Sequence, residues 1–219
     1  VLPRAAVPAG ARAARARDEG DPVRVLHLGC GRKGRNLTIA TAEPVEIVTL
    51  DADARLDPDI VCCLGRDPIP LPDNSIDLAV AVHVLEHIGR QGETAEWFSF
   101  WEELYRVLKP GGRLEFESPL YSSVWAWADP SHVRALSPQA FLFFIQDSYR
   151  LPASSISPFR IACDFEPTQP FELLEDGDPN VRALEPVTHF RGVLAAQKPL
   201  RPWWMDAPAG IESAMVGVR

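Results

Sequence analysis

The sequence predicts an α/β fold, a doubly wound domain around a mostly parallel sheet, and three observations lead to this fold class. A short apolar strand over residues 23–28 runs into a glycine-rich turn, residues 29–34. A second apolar strand, residues 45–50, ends at Asp51. A third, residues 76–82, is apolar almost throughout, as is typical of strands buried on both faces of a parallel sheet. Strand, turn, helix and strand in succession form the βαβ unit of parallel sheets.

The remaining elements continue this alternation. We expect helices at residues 36–42, 93–108 and 138–145, and further strands at residues 60–64, 113–117, 159–165 and 189–196. The long helix is predicted from apolar residues at helical spacing and ends at Pro-Gly-Gly, residues 110–112. Ser137 and Pro138 are good residues for the cap and first position of the later helix. The last two strands are expected to form a hairpin-like pair.

The length of 219 residues fits one domain with a buried core. We divide the chain into a flexible arm (residues 1–21), a central domain (22–198, with an insertion at about 119–138) and a tail (199–219). The arm lacks the apolar stretch of a signal peptide. Its basic, Ala-rich run at residues 12–17 leaves a transit-like segment as a second hypothesis.

Composition narrows the function classes. The net charge of -8 argues against a general nucleic-acid binder, which needs a basic stripe, although a local patch for tRNA or rRNA stays open. The four cysteines show no CxxC spacing, so we expect reduced thiols and a cytoplasmic location. No apolar run reaches the length of a membrane span. The oligomeric state stays open.

The glycine turn and Asp51 together predict a nucleotide site. Gly29 and Gly31 lack a Cβ and let a ligand approach the backbone, and a helix N-terminus behind them would favour an anion. The Asp51 carboxylate, at the end of the neighbouring strand, can accept hydrogen bonds from ribose hydroxyls. The spacing from Gly29 through Gly31 to Gly34 also fits the dinucleotide fingerprint, so a nicotinamide-dependent oxidoreductase is an alternative.

Four segments in order decide between these nucleotides: residues 25–31 (VLHLGCG), 71–77 (LPDNSID), 83–87 (HVLEH) and 104–112 (LYRVLKPGG). Together they resemble class I S-adenosylmethionine-dependent methyltransferases, especially those that act on small molecules. The resemblance covers residues 22–120. It implies a seven-stranded Rossmann-like sheet with an antiparallel last strand, S-adenosylmethionine as cofactor, and methyl transfer to an oxygen or nitrogen. The acidic net charge and the compact insertion favour a small metabolite or a sugar-like molecule as the acceptor.

The resemblance also implies roles for individual residues. These are Gly29, Cys30 and Gly31 for the methionine and ribose part, Asp51 for the ribose hydroxyls, Ala52 for the adenine face, Cys63 and Leu64 for the adenine edge, and His83 for the methionine end. Family members often have Asp where this chain has Cys63. A thiol is a poorer acceptor for the adenine amino group, so either affinity is reduced or another side chain compensates.

Candidates for catalysis and acceptor binding follow the fifth strand. Residues 129–134 (DPSHVR) resemble a segment found in part of this family. The resemblance implies that His132 and Asp129 are catalytic, with His132 as the base. It also implies that Arg134 binds an acidic group of the substrate. The alternative is that these three residues fix their own loop. Two further candidates, Tyr121 and Trp125, form with the nearby Trp127 either an aromatic wall for the acceptor or a packing contact to the core.

Two other functions remain as alternatives. Residues 83–87 match the HxxEH pattern of one metallopeptidase group, which needs the three side chains on one helix and a third ligand. Because His83 directly follows a strand, we expect it to precede the helix, and we expect no metal site. The other alternative is a catalytically silent binding or scaffold domain, for which Cys63 leaves room.

Overall fold

The computed structural model describes residues 20–34, 37, 39–150, 157, 159–177, 182, 185 and 187–205. Eight strands of this part of the chain form one sheet. They are β1 (Val23–Leu28), β2 (Val45–Asp51), β3 (Ile60–Val61), β4 (Ile76–Val82), β5 (Leu108–Pro119), β6 (Phe165–Pro167), β7 (Glu172–Glu175) and β8 (Val187–Ala196). Most of the predicted N-terminal arm and tail lies outside the described residues.

The strand order is β3-β2-β1-β4-β5-β8-β6, with β7 also paired to β8. Strands β1 to β5 pair in parallel, and β8 runs antiparallel to β5, β6 and β7. The predicted α/β fold with a mostly parallel sheet and an antiparallel last strand is therefore confirmed. The strand beyond the seven expected is β7, which shares the outer edge of β8 with β6.

One long helix, α1 (Ala95–Val107), covers the main face of the sheet. Its buried side chains include Trp97, Trp101 and Leu104, and Trp101 stacks on Phe144 at 4.3 Å between ring centroids. The other helices are α2 (Trp125–Ala128), α3 (Gln146–Arg150) and 3-10 turns at Gly31–Lys33, Ala54–Leu56, Leu85–His87, Pro138–Phe144 and Trp203–Met205. As expected, α1 ends just before Pro110, and Pro138 begins the next turn, without a cap bond from Ser137.

The strands of the sheet centre are buried on both faces. From β1, Leu26 and Leu28 belong to the large core under α1, while Val25 packs with Leu78 on the other face. Leu37 lies against that second cluster. The near-continuous apolar composition of these strands thus reflects double burial, as the sequence predicts.

Two predicted elements are wrong in the described residues. Residues 39–42 of the expected helix 36–42 are not helical; residues 36 and 38 lie outside the described part. Of the strand expected at 159–165, Phe165 alone is in β6.

Side chains from elsewhere explain the second error. The Gln146 Nε2 donates to the carbonyls of Ile161 (3.1 Å) and Cys163 (2.7 Å), and the Ala162 N–H donates to Glu102 Oε1 (2.9 Å). These backbone groups are therefore satisfied without a neighbouring strand. The fully buried Gln146 also accepts the N–H of Trp203 at 2.9 Å, which anchors the start of the tail to the domain.

Among the described helices, none is both long enough and apolar enough to span a membrane.

We predict that Gly192→Ala destabilises the domain. Gly192 lies in β8 opposite Phe116 of β5, and a Cβ there would overlap the Phe171 ring and stand 3.0 Å from Phe116 Cε1. Overpacking of this kind lowers the free energy of unfolding by about 1–3 kcal/mol, which urea denaturation measures. Gly177→Ala is the matched control, because its Cβ would meet no atom within 4 Å. Equal midpoints for both variants would contradict the packing argument.

Candidate functional site

A cavity of about 280 Å³ lies at the carboxyl ends of the parallel strands. It is near the lower end of the ~300–1,000 Å³ range of ligand clefts. The loops after β1, β2, β3 and β4 surround it, at the point where the strand order reverses beside β1. Open α/β sheets bind ligands at this position. A larger cleft of about 590 Å³, near Asn74 and Lys198, lies at the opposite ends of the strands and is the weaker candidate for that reason.

The cavity collects most of the residues that the sequence singled out for a cofactor. Its lining includes Gly29, Asp51, Ala52, Cys63, Leu64 and His83. Cys30 and Gly31 follow Gly29 directly in the turn beside it, and Cys30 is buried. The sequence interpretation missed Val84 and Ile88, which also line the cavity and whose apolar character gave no signal of a site.

The two glycines of the turn meet different requirements. Gly29, with φ +55°, faces the end of β4 so closely that a Cβ would stand 2.6 Å from Val84 Cγ2. Gly31, with φ +53°, has open space where its Cβ would be. Both backbones adopt a left-handed conformation that glycine tolerates best. The turn therefore leaves a backbone approach to a ligand at Gly31.

The expected support by a helix N-terminus is not found here. After Gly31 the described chain makes one 3-10 turn and Gly34 follows it. The buried His27 ring instead fixes the turn, with Nδ1 at 2.7 Å from the Gly34 carbonyl oxygen. A helix dipole that could bind an anion is therefore not provided by this turn.

The Asp51 carboxylate joins the glycine turn to the end of β2. Its Oδ2 accepts the Gly31 N–H and its Oδ1 accepts the Asp53 N–H, both at 2.9 Å. A carboxylate oxygen has two lone pairs, so each retains acceptor capacity. Two ribose hydroxyls could thus bind to a carboxylate whose position is already fixed, and the residues present fit a nucleoside-type cofactor.

The segment of Cys63 and Leu64 is supported by a residue that sequence reasoning missed. The Cys63 N–H donates to Asp67 Oδ2 at 2.9 Å, which leaves the Leu64 N–H as the candidate donor to a ligand. Asp67 places a carboxylate beside Cys63 without itself lining the cavity. Burial, with the nearby Asp67 charge, raises the pKa of Cys62 to about 11, so this lining thiol is neutral at physiological pH.

Glu86 is a buried carboxylate between β4, β5 and the insertion. Its Oε2 accepts from Ser118 Oγ at 3.0 Å, and its backbone oxygen accepts the N–H groups of Val133 and Arg134. Burial acts to raise the pKa of Glu86, but interactions with His83 and Ser118 outweigh it and lower the pKa. Glu86 is therefore ionised at neutral pH in spite of being 1 % exposed.

His83 occupies a strained position at the end of β4. Its φ is +55°, which L-residues rarely adopt. Its Nδ1 lies 3.3 Å from Glu86 Oε1, and its ring meets the His189 ring edge-on at 5.1 Å. As expected, His83 precedes the 3-10 turn of residues Leu85–His87 and lines the cavity as a wall.

The segment 129–134 folds over this loop, and its three candidate side chains have different environments. Asp129 is exposed and accepts from the Ser131 hydroxyl at 2.5 Å and from the Ser131 N–H at 2.8 Å, and these two bonds lower its pKa. His132 is buried against His87 and Glu86, with Nε2 at 3.9 Å from Glu86 Oε1. Neither lines the cavity, so their catalytic roles stay predictions.

Arg134 makes contacts that favour the hypothesis of a loop tie. Its guanidinium donates to the carbonyls of Ile88, Arg90 and Glu93 at 3.2, 2.8 and 2.9 Å, and lies 4.5 Å from the Trp97 ring centroid. Three donors of the fork are therefore committed to the protein backbone. That the remaining N–H donors of Arg134 bind the substrate stays a prediction.

The aromatic residues of the insertion lie at the surface. Tyr121 is 54% exposed, Trp125 42% and Trp127 70%, so packing into the core does not describe them. Their polar atoms orient them: Trp125 Nε1 donates to Asp176 Oδ2 at 2.8 Å, and Trp127 Nε1 to the Tyr121 carbonyl at 3.0 Å. Because β5 ends at Pro119, they begin at the same edge of the sheet as the cavity.

Comparison with known proteins identifies the segment that builds the cavity. Residues 26–116 match the sequence profile of a family described as "Methyltransferase domain". An uncharacterized methyltransferase of Schizosaccharomyces pombe is 34% identical in an alignment of 101 positions that covers 41% of this chain and 36% of that protein. The chain thus spans about a third of the length of this curated relative.

Solved structures of methyltransferases share the fold. One is an S-adenosylmethionine-dependent methyltransferase from Mesorhizobium loti (14% identity, 82% of this chain and 93% of that chain, TM-score 0.52). Another is the N-methyltransferase NodS from Bradyrhizobium japonicum in complex with S-adenosyl-L-homocysteine (12% identity, 80% and 78%, TM-score 0.52). The matched profile and the curated relative are both described as methyltransferases, and the solved structures show that such enzymes have this fold.

We predict that Arg134→Ala destabilises the domain. Loss of the guanidinium leaves the carbonyls of Ile88, Arg90 and Glu93 without these donors and removes the contact to Trp97. The free energy of unfolding should fall by about 2–4 kcal/mol, measured by urea denaturation. Arg90→Ala, at an exposed side chain, is the control and should remain near wild type. An Arg134→Ala variant as stable as the control would show that the loop tie contributes little.

Proposed function

We propose that this chain is an S-adenosylmethionine-dependent methyltransferase that methylates an oxygen or nitrogen of a small, sugar-like acceptor. The observation that carries the proposal is the cavity at the strand carboxyl ends. Six of its lining residues are those that the methyltransferase resemblance assigns to the cofactor. The matched family segment, residues 26–116, contains all of them.

The residues of this chain would hold the cofactor along the cavity from Asp51 to His83. Asp51 accepts hydrogen bonds from the ribose hydroxyls, and Ala52 and Leu64 lie on either side of the adenine. Gly31, which has no side chain, lets the cofactor come close to the backbone. When bound, S-adenosylmethionine supplies a methyl group already activated on its sulfonium. The work left to the protein is chiefly to align the acceptor with that methyl group.

The surface next to the cavity favours a neutral or cationic small acceptor. Tyr121 and Trp125 present aromatic faces, and the Asp176 carboxylate is held beside Trp125. Sites for small molecules combine such apolar surfaces with a few fixed polar groups. The net charge of -8 points away from a polyanionic acceptor such as nucleic acid.

We predict that S-adenosylmethionine and S-adenosylhomocysteine bind with micromolar affinity in calorimetric titration, and that Asp51→Ala weakens both. Loss of hydrogen bonds to a charged acceptor should cost about 10- to 100-fold in Kd. Asp53→Asn is the control, because the Asp53 side chain pairs with Arg55 and does not line the cavity. It should bind as the wild type does.

The wild-type result tests the proposal itself. Absence of binding by both compounds would contradict the methyltransferase proposal. Binding of a nicotinamide dinucleotide in their place would favour an oxidoreductase, and binding of none of these compounds would favour a scaffold domain. Binding unaffected by Asp51→Ala would contradict the assignment of the ribose site.

The acceptor side has its own prediction. A screen of sugar-like and aromatic small molecules with labelled S-adenosylmethionine should yield an acceptor whose kcat/KM falls about 10-fold in Trp125→Ala, the loss expected for one aromatic contact. The Kd of the cofactor should not change. Trp204→Ala, a partly exposed tryptophan of the tail, is the control. An unchanged kcat/KM in Trp125→Ala would remove this surface from the acceptor site.

A further inference from the structure

We propose that Glu86, His87 and His132 form a binding site for a divalent transition metal ion of the zinc class. Each of the three side chains offers one ligand atom, and these atoms lie within 4.8 Å of one another. Two imidazoles and one carboxylate are a donor set that suits Zn²⁺ and leaves a fourth position for water or another ligand. The site adjoins the cavity described above, because His87 also lines it, but its ligand set does not depend on the methyltransferase proposal.

One buried atom in this cluster calls for a partner on the side of the histidines. Glu86 Oε1 makes no hydrogen bond to any described residue, and the ring nitrogen that faces it is His132 Nε2 at 3.9 Å. The side chains are 1% and 9% exposed, so water does not freely reach them. Glu86 Oε1 also lies 3.3 Å from His83 Nδ1, an ion-pair contact whose geometry falls short of a hydrogen bond. A buried carboxylate oxygen without a full hydrogen bond is costly, and a cation beside it lowers this cost.

The contacts around the cluster already orient its ligands. Glu86 Oε2 is held by the Ser118 hydroxyl at 3.0 Å, which leaves Oε1 toward the histidines. His87 Nδ1 lies 3.1 Å from the Ser131 carbonyl oxygen. Because a carbonyl oxygen only accepts, Nδ1 carries the proton and Nε2 of the neutral ring has the lone pair. Proteins fix the ligand atom of a metal-binding histidine in this way.

Small movements of the three side chains would bring their ligand atoms to the separations of a tetrahedral metal site. With metal–ligand bonds of 2.0–2.1 Å, the ligand atoms of a tetrahedral site stand about 3.3 Å apart. The separation of His132 Nε2 from Glu86 Oε1 is 3.9 Å, and the widest separation in the cluster is within 4.8 Å. Since His87 is exposed, its side chain can supply the approach.

This ligand set differs from the HxxEH pattern that the sequence suggested. His83, the first histidine of that pattern, lies outside the 3-10 turn and is not part of the cluster. Its place is taken by His132, 45 positions after His87 in the chain. The metal would thus connect the loop after β4 to the segment 129–134. It would also make His132 a ligand instead of the free base expected from the resemblance.

The test measures Zn²⁺ affinity of the full chain after removal of metals with EDTA. Competition with a chromophoric chelator gives the Kd and stoichiometry, and Co²⁺ absorption reports the coordination. The variants are His87→Gln at an exposed position and His132→Gln at a buried one, with circular dichroism to check folding. His189→Gln is the matched control: it contacts His83 at the same sheet edge but lies outside the cluster.

We expect one Zn²⁺ per chain, with binding weakened at least ~100-fold in both ligand variants, more than the ~10- to 100-fold typical of residues around a metal site. The control should bind as the wild type does. Absence of stoichiometric binding by the wild type would overturn the proposal. So would binding that His87→Gln retains, or that His189→Gln loses, because the donors would then be others.

Discussion

The buried carboxylate of Glu86 is the contact on which the functional end of the sheet depends. It joins the end of β4 to Ser118 of β5, and its backbone oxygen holds Val133 and Arg134 of the insertion. The ionised side chain is stabilised in the interior by its contacts to Ser118 and His83. The position of the segment 129–134 over the loop depends on the backbone oxygen of the same residue, which accepts two N–H groups of the segment.

The elements that build the cavity could be predicted from the sequence because their signals are local. Strands β1, β2 and β4 show as apolar runs, and α1 shows as apolar residues at helical spacing. Once these strands are placed in a parallel sheet, residues directly after them must meet at one edge. Gly29, Asp51 and His83 were found by this rule, although they are far apart in the chain.

The features that escaped prediction depend on contacts across long stretches of sequence. The sequence around Gln146 predicts only a helix. It does not indicate that the amide of Gln146 binds the backbone of residues 161 and 163 and of Trp203 in the tail. Asp67 reaches back to the Cys63 N–H, and Arg134 binds carbonyls more than forty positions before it. Polar side chains of this kind choose partners only after the fold exists, so periodicity carries no information about them.

The lengths of the outermost strands have a consequence for solubility. At one edge of the described sheet β3 has two residues, and at the other β6 and β7 have three and four. A row of unpaired backbone N–H and C=O groups must be long and flat to template a strand from another molecule. The rows that β3, β6 and β7 present are too short for that purpose, so these outermost strands oppose joining sheet to sheet in concentrated solution.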